Sequence, residues 1–198
     1  MKKKKLLIFG AGNQSNVVTK LIEEKFDILG YVTSKKMTKN NLLKITNNKS
    51  FFSIIAIGDN MNRKKIFNDI KKFNLKIKWL SIISPNSIIS KDVIIGEGSL
   101  VMPGCIINNG TRIKDHCIIN TGSIIEHDNC FDNFSSCGPG VVTGGNVRVG
   151  ESSYIGIGSV VKEKIMIDDN VFIGGNSFIN KNCKKNSLYY GNPIKLIS

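Results

Sequence analysis

Two hydrophobic grammars divide this chain near Trp79. Before it, apolar runs alternate with amphipathic stretches. Beyond it, an aliphatic residue returns at every sixth position from Ile83 to Ile179, with no insertion to break the count. The series is Ile83, Ile89, Ile95, Val101, Ile107, Ile113, Ile119 and Ile125, then Phe131, Cys137 and Thr143, then Val149, Ile155, Val161, Ile167, Ile173 and Ile179; 14 of its 17 members are Ile or Val. A period of six fits neither the 3.6 of a helix nor simple alternation, so one short strand plus one turn must repeat as a unit. That is the period of a parallel β-helix. Three units make one coil of a triangular prism, with the repeating aliphatic pointing inward. The position four residues on is mostly small or β-branched, as at Ser87, Ser99, Cys105, Thr111, Ser123, Ser135, Val147 and Ser159, and suits a tight inner corner. Asn, Asp and Gly fill many turn positions where a positive φ is tolerated.

The first 80 residues read differently. Lys4 to Phe9 is an apolar strand that runs into Gly10-Ala11-Gly12-Asn13-Gln14-Ser15, and Val17 to Lys25 has helical spacing. Asp27 to Val32 reads as a second strand, and Phe51 to Ile57 as a third that ends in Gly58-Asp59-Asn60. Arg63 to Phe73 is an amphipathic helix, and Leu75 to Ile82 an extended passage into the repeats. Alternating strand and helix predict a small α/β, Rossmann-like layer with a parallel sheet over residues 1–80, followed by the β-helix over residues 81–198. Ligands of such sheets bind outside the carboxyl ends of the strands, where both glycine turns fall. A dinucleotide site is disfavoured: Ser15 stands at the third glycine of GxGxxG, and Val32-Thr33-Ser34 offers no ribose-binding acid. A turn of backbone N–H groups at a helix N-terminus suits a phosphate or diphosphate. The alternative is that Gly10 and Gly12 only permit a tight turn.

Composition adds limits. The formal charge is +13, but the lysines are spread, with short runs at Lys2 to Lys5, Lys71-Lys72 and Lys184-Lys185, and without aromatic interleaving or a nucleic-acid motif. This argues against a nucleic-acid partner; a basic surface still attracts small polyanions such as coenzyme A or a nucleotide sugar. The apolar stretch from Leu6 to Phe9 is too short for a signal peptide or a membrane span, so a cytoplasmic protein is expected. Five cysteines show no metal spacing and read as reduced packing residues, and no metal is expected.

The chain has two histidines, His116 and His127, the residue type best suited to acid–base chemistry near neutral pH. His127 occupies a turn in Ile125-Glu126-His127-Asp128, which places its ring outside the prism beside a carboxylate that can orient it. Directly after it the inward series weakens to Phe131, Cys137 and Thr143, and local rules tend to fail where function intrudes. His116, on a turn with no such lapse, reads as a solvated or interface residue.

With these residues placed, the chain resembles the hexapeptide-repeat acyltransferases, and within them the sugar acetyltransferases grouped with sialic acid O-acetyltransferases and the UDP-4-amino-sugar N-acetyltransferases of bacillosamine synthesis. The likeness rests on Phe9-Gly10-Ala11-Gly12, Ala56-Ile57-Gly58-Asp59-Asn60, Ile119-Asn120-Thr121, Ile125-Glu126-His127, Gly144-Gly145-Asn146-Val147 and Tyr190-Gly191-Asn192-Pro193. The resemblance implies a left-handed β-helix, a homotrimer, acetyl-CoA between neighbouring prisms, and a first domain that holds the acceptor sugar nucleotide. It implies His127 as general base, Asp128 as its acidic neighbour and the Gly145 N–H as oxyanion donor. It further implies Ser136, Gly145, Gly174, Gly175, Asn192 and Pro193 along coenzyme A, and Gly10, Gly12, Asn13, Gln14, Gly58, Asn60 and Asn120 around the acceptor.

Three positions depart from the family. Ser136 replaces a second histidine nine residues after the base, Gln14 stands where relatives often have His, and Thr33-Ser34 replace the usual acids. The leading expectation is acetyl transfer from acetyl-CoA to the 4-amino group of a nucleotide-linked sugar for surface glycan synthesis. The alternatives are O-acetylation of a sugar such as sialic acid, or an idle trimeric scaffold that binds a sugar nucleotide.

Overall fold

The computed structural model describes residues 3–47 and 49–198; Lys2, at the head of the lysine run, lies outside the described residues. The chain separates into two compact units, Met1–Ser81 and Ile82–Ser198.

The first unit is built on a parallel sheet of four strands: β1 (Lys4–Phe9), β2 (Phe26–Val32), β3 (Phe51–Ile55) and β4 (Ile77–Trp79), in the order β2-β1-β3-β4. Helices α1 (Asn13–Ile22), α2 (Lys39–Thr46) and α3 (Asn60–Lys71) connect them. One side of the sheet packs Leu7, Phe9, Val32, Phe51 and Ile55 against Leu42 of α2 and Ile66 and Ile70 of α3. Both α2 and α3 start on a side-chain cap, where Thr38 accepts from the Asn41 N–H and Asp59 from the Asn62 N–H. Helix α2 was not foreseen. Its sequence, Lys-Asn-Asn-Leu-Leu-Lys-Ile-Thr, buries only Leu42 and Thr46 and shows too short an apolar stripe to register.

The second unit is the expected left-handed β-helix. Its two-residue rungs fall on three faces of eight, six and five strands. Between Ile82 and Ile179 the rungs pair in parallel at a step of 18 residues, as Ile124 does with Val142 and Arg112 with Cys130. The chain visits the eight-, six- and five-stranded faces in turn. The second residue of each rung points inward, and Val101, Ile119, Ile125, Phe131, Ile155, Ile173 and Ile179 are all fully buried. Tightness at the turns comes from the residue three places after the inward one. From Gly98 to Asn176 every sixth residue has φ between 54° and 74°, and half of the non-glycine members are Asn or Asp.

The inward series is less uniform at its start than the sequence suggests. Ile83 is 43 % exposed, because the first coil has no coil beneath it, while its neighbour Ile82 is buried. The other end is closed. Leu188–Tyr190 adds to the eight-stranded face beside Phe172–Ile173, and Lys195–Leu196 turns back antiparallel to it, burying Tyr189 and Ile194. This supplies the partner that an open strand edge would lack.

Candidate active site

The corner between the six- and five-stranded faces holds His127. Its Nδ1 lies 2.8 Å from Asp128 Oδ2. Adjacent residues meet this way because Asp128 takes the left-handed conformation, φ 57°, which swings its carboxylate back toward the ring. In the neutral tautomer that donates from Nδ1 to this carboxylate, the lone pair stands on Nε2. About half of the imidazole surface is open to solvent. One coil on, Gly145 sits against the ring: a Cβ there would lie 2.5 Å from both Cε1 and Nε2. Glycine is what allows the backbone of the next coil to approach the basic nitrogen.

The sequence reading singled out Thr143 as a lapse in the inward series, and its purpose is visible. Its buried hydroxyl accepts from the Glu126 N–H at 3.2 Å, while Thr111 Oγ1 donates to the Glu126 carbonyl at 2.9 Å. Glu126, the residue before His127, is thereby held from the coils on both sides. Asn129, which the sequence reading passed over, also reaches this residue, through Nδ2 to Glu126 O at 2.5 Å. The signal for it was present: an amide where the repeat wants a small residue.

His116 corrects the expectation of a solvated ring. It is 2 % exposed, its ring stacks on Phe134 with centroids 5.1 Å apart, and it covers Gly98, where a Cβ would run into it. Gly98, His116 and Phe134 all take the left-handed turn conformation at the same corner, one coil apart, so the aromatic pair fills a corner column above a glycine.

The remaining β-helix candidates border one face. Asn120 begins the corner before the rung Ile124–Ile125, and His127 the corner after it. Gly174 and Gly175 lie on the same edge as Asn120, higher in the stack. There the Tyr190 ring covers Gly174, and the Gly191 N–H donates to Ser177 Oγ at 3.2 Å, bringing Asn192-Pro193, joined by a cis peptide, to that edge. The six-stranded face between these edges presents Ile88, Ile106, Ile124, Val142, Val160 and Phe178; Ile88 is 69 % exposed. Ser136 is elsewhere. It is buried in the eight-stranded face, opposite the His127 corner, so one chain does not bring it to the imidazole.

In the first unit a cleft of about 800 Å³ opens at the carboxyl ends of β1, β2 and β3. Gly10, Gly12, Asn13, Gln14, Thr33, Ser34 and Gly58 line it, with Lys65 and Lys72 at the α3 side. Gly10 has φ 119°, and a Cβ there would meet the Ala56 carbonyl at 2.7 Å, which ties the first turn to the end of β3. Ser15, in place of a third glycine, donates to that same carbonyl. No side chain caps the N-terminus of α1, whose N–H groups remain available to an anion. The Lys72 ammonium beside Asp69 holds that carboxyl below its usual range. Asn60 does not line the cleft. It is buried, and its Oδ1 accepts from Arg63 Nη2 at 2.7 Å; Asn62 forms the wall there. The guanidinium of Arg63, 1 % exposed, also donates to Ile57 O and Gly58 O at 2.9 and 3.0 Å and so shapes the second glycine turn. Among the described residues no group of three or more His, Cys, Asp or Glu could hold a metal ion, and no helix is long and apolar enough to cross a membrane.

Comparison with known proteins places this arrangement. Residues 5–70 match the family described as PglD N-terminal domain. PerB from Caulobacter crescentus, solved in complex with CoA and GDP-perosamine, is 25 % identical over 98 % of this chain and 97 % of its own, with a TM-score of 0.91. The acetyltransferase domain of PglB from Neisseria gonorrhoeae, in complex with acetyl coenzyme A, is 27 % identical over 99 % of this chain and 100 % of its own, at a TM-score of 0.87. Over nearly its whole length the chain is similar in structure to these two acetyltransferases. WeeI from Acinetobacter baumannii AYE, at 23 % identity over 97 % of this chain and 99 % of its own, shares the fold with a TM-score of 0.83. The family model falls within the first unit, while the structural likeness covers both.

Proposed function

We propose that this protein is an acetyl-CoA-dependent N-acetyltransferase acting on the 4-amino group of a nucleotide-linked amino sugar, with His127 as general base. The observation that carries the reading is the imidazole held by Asp128 on one nitrogen and faced by the Gly145 backbone on the other, in a chain matching PerB along nearly its whole length. Acetyl-CoA supplies the acyl group as a thioester. His127 Nε2 takes the proton that the acceptor amine loses as it attacks, and the Asp128 carboxylate stabilises the resulting imidazolium. The Gly145 N–H donates to the oxygen on which negative charge develops. In the first unit, the N–H groups of the Gly10 to Ser15 turn and the nearby lysines take the phosphates of the acceptor.

A single prism leaves the ring on an open corner, whereas a site that buries a ligand needs walls. The apolar six-stranded face, bounded by His127 on one edge and Gly174 on the other, is the surface a second copy covers. A closed ring of three copies makes each such contact equivalent. Such chemistry, drawing on acetyl-CoA and nucleotide sugars, belongs in the cytoplasm and serves surface glycan synthesis.

The test is incubation of purified protein with acetyl-CoA and nucleotide 4-amino sugars, GDP-perosamine among them, with mass spectrometry of the product. An amide is expected, and His127→Ala should lower the rate about 10²- to 10⁴-fold. An ester product, or a variant at the wild-type rate, overturns the reading.

A further inference from the structure

The corner position of the hexapeptide carries Ser at Ser87, Ser99, Ser123, Ser135, Ser153, Ser159 and Ser177, and a single carboxamide between Ser87 and Cys183, at Asn129. Serine corners show what the position does. A hydroxyl has one proton and spends it once. Ser99, Ser123, Ser153 and Ser159 donate to a carbonyl of the next coil: Lys114, Gly138, Asp168 and Gly174. Ser87, Ser135 and Ser177 donate within their own coil, to Ser84, Asp132 and Gly174. One proton serves one of the two carbonyls.

Asn129 serves both. Its Nδ2 donates to Glu126 O in its own coil at 2.5 Å and to Gly144 O in the next at 3.0 Å, with a longer approach to His127 O at 3.4 Å. Its Oδ1 accepts from the Val147 N–H at 3.0 Å, which fixes which end of the amide is which. The side chain is 1 % exposed. The two carbonyls matter because of the peptides they belong to. Glu126 C=O shares its peptide plane with the His127 N–H, and Gly144 C=O shares its plane with the Gly145 N–H. One buried amide therefore orients the peptide that carries the base and the peptide that carries the oxyanion donor. A hydrogen bond to a peptide carbonyl also polarises the N–H across the same plane, strengthening it as a donor.

We propose that Asn129 is a positioning residue for acetyl transfer, fixing the Gly145 N–H relative to His127 Nε2. This rests on the function proposed above, with His127 as base.

The test compares Asn129→Ser, Asn129→Asp and His127→Ala, using acetyl-CoA with GDP-perosamine and UDP-linked 4-amino sugars. Serine is the natural occupant of this corner elsewhere, so the coil should fold. It keeps one of the two bonds, and kcat should fall about 10-fold or more, with both KM values within about twofold, since small misplacements at a reacting centre cost up to about 10². Aspartate keeps the shape and the acceptor for Val147 but loses both donations, and should lower kcat further. The two histidines provide a readout that needs no acceptor. In either Asn129 variant the NMR resonance of the His127 ring should move, while that of His116 stays. Wild-type kcat in both variants while His127→Ala is inactive would sink the proposal and leave the general-base reading standing. So would a loss of activity that merely follows Tm with the His127 resonance unmoved. His127→Ala at the wild-type rate would remove both.

Discussion

Asp128 reaches His127 by folding over Gly110. The two rings of contact are linked: Oδ2 accepts from Nδ1 at 2.8 Å, while Oδ1 occupies the space that a Cβ at Gly110 would need. Gly110 itself has φ 71°. Gly110→Ala is therefore expected to destabilise the protein by about 1–2 kcal/mol through backbone strain and to push the carboxylate off the ring. A lower Tm together with a reduced kcat would be measured. Asp128→Asn, which keeps the shape and loses the charge, should reduce kcat about 10-fold or more without the fall in Tm.

Gly145 tests the other side of the imidazole. Its φ does not lie in the positive range, so alanine costs little in backbone terms. The added methyl would stand 2.5 Å from Nε2. Gly145→Ala should leave Tm nearly unchanged and cut kcat by about 10² or more, the loss typical of a displaced oxyanion donor. Thermal melts and steady-state kinetics on the same preparation decide it.

Arg63 offers a prediction confined to the first unit. Its guanidinium satisfies Ile57 O, Gly58 O and Asn60 Oδ1 from a buried position. Arg63→Met removes the donors and strands those acceptors, at a cost of about 2 kcal/mol or more. The acceptor KM should rise several-fold while the acetyl-CoA KM holds, because the Gly58 turn lines the cleft. Equal rises in both would contradict the assignment of this cleft to the acceptor.

All five cysteines are free thiols, and burial governs them. Desolvation pushes the Cys137 thiol up to about 11 and that of Cys183 up to about 12, and raises Cys105 and Cys130 as well. A raised pKa leaves little thiolate at pH 8, and the thiolate is the reactive form. Native protein at pH 8 should therefore react slowly with a thiol reagent, with Cys130, the half-buried one, first. Denaturant should release all five at once. Fast native labelling of Cys137 would contradict the packing described.

Much of this molecule was readable in advance because a repeat states its own rules. Ile125 and Ile173 are inward for the same reason, and Thr143 is conspicuous against them; the structure shows it accepting from the N–H of Glu126, the residue before His127. His127 itself was legible as an outward imidazole next to an acid. What escaped was set by contacts across coils or by weak local signals. Whether His116 is solvated depends on Gly98 below it and Phe134 above, residues 18 positions away in each direction. Asn129 stands out as an amide at a small-residue corner, but its role is set by carbonyl partners in two coils. Ser136 follows His127 by nine residues, which is one and a half repeats, and only the face order reveals that this puts it on the opposite side of the prism. Helix α2 is held by Leu42 and a Thr38 cap, too little to stand out from a Lys- and Asn-rich loop.

The 18-residue step that sets Gly145 above His127 also dictates how such a chain can change length. Gaining or losing a single hexapeptide between them would turn everything downstream by one side of the triangle and carry the glycine to a different edge. Only whole coils can be added or removed there without uncoupling base from donor, so drift in this segment should be confined to substitutions, with gaps tolerated only in units of a full revolution.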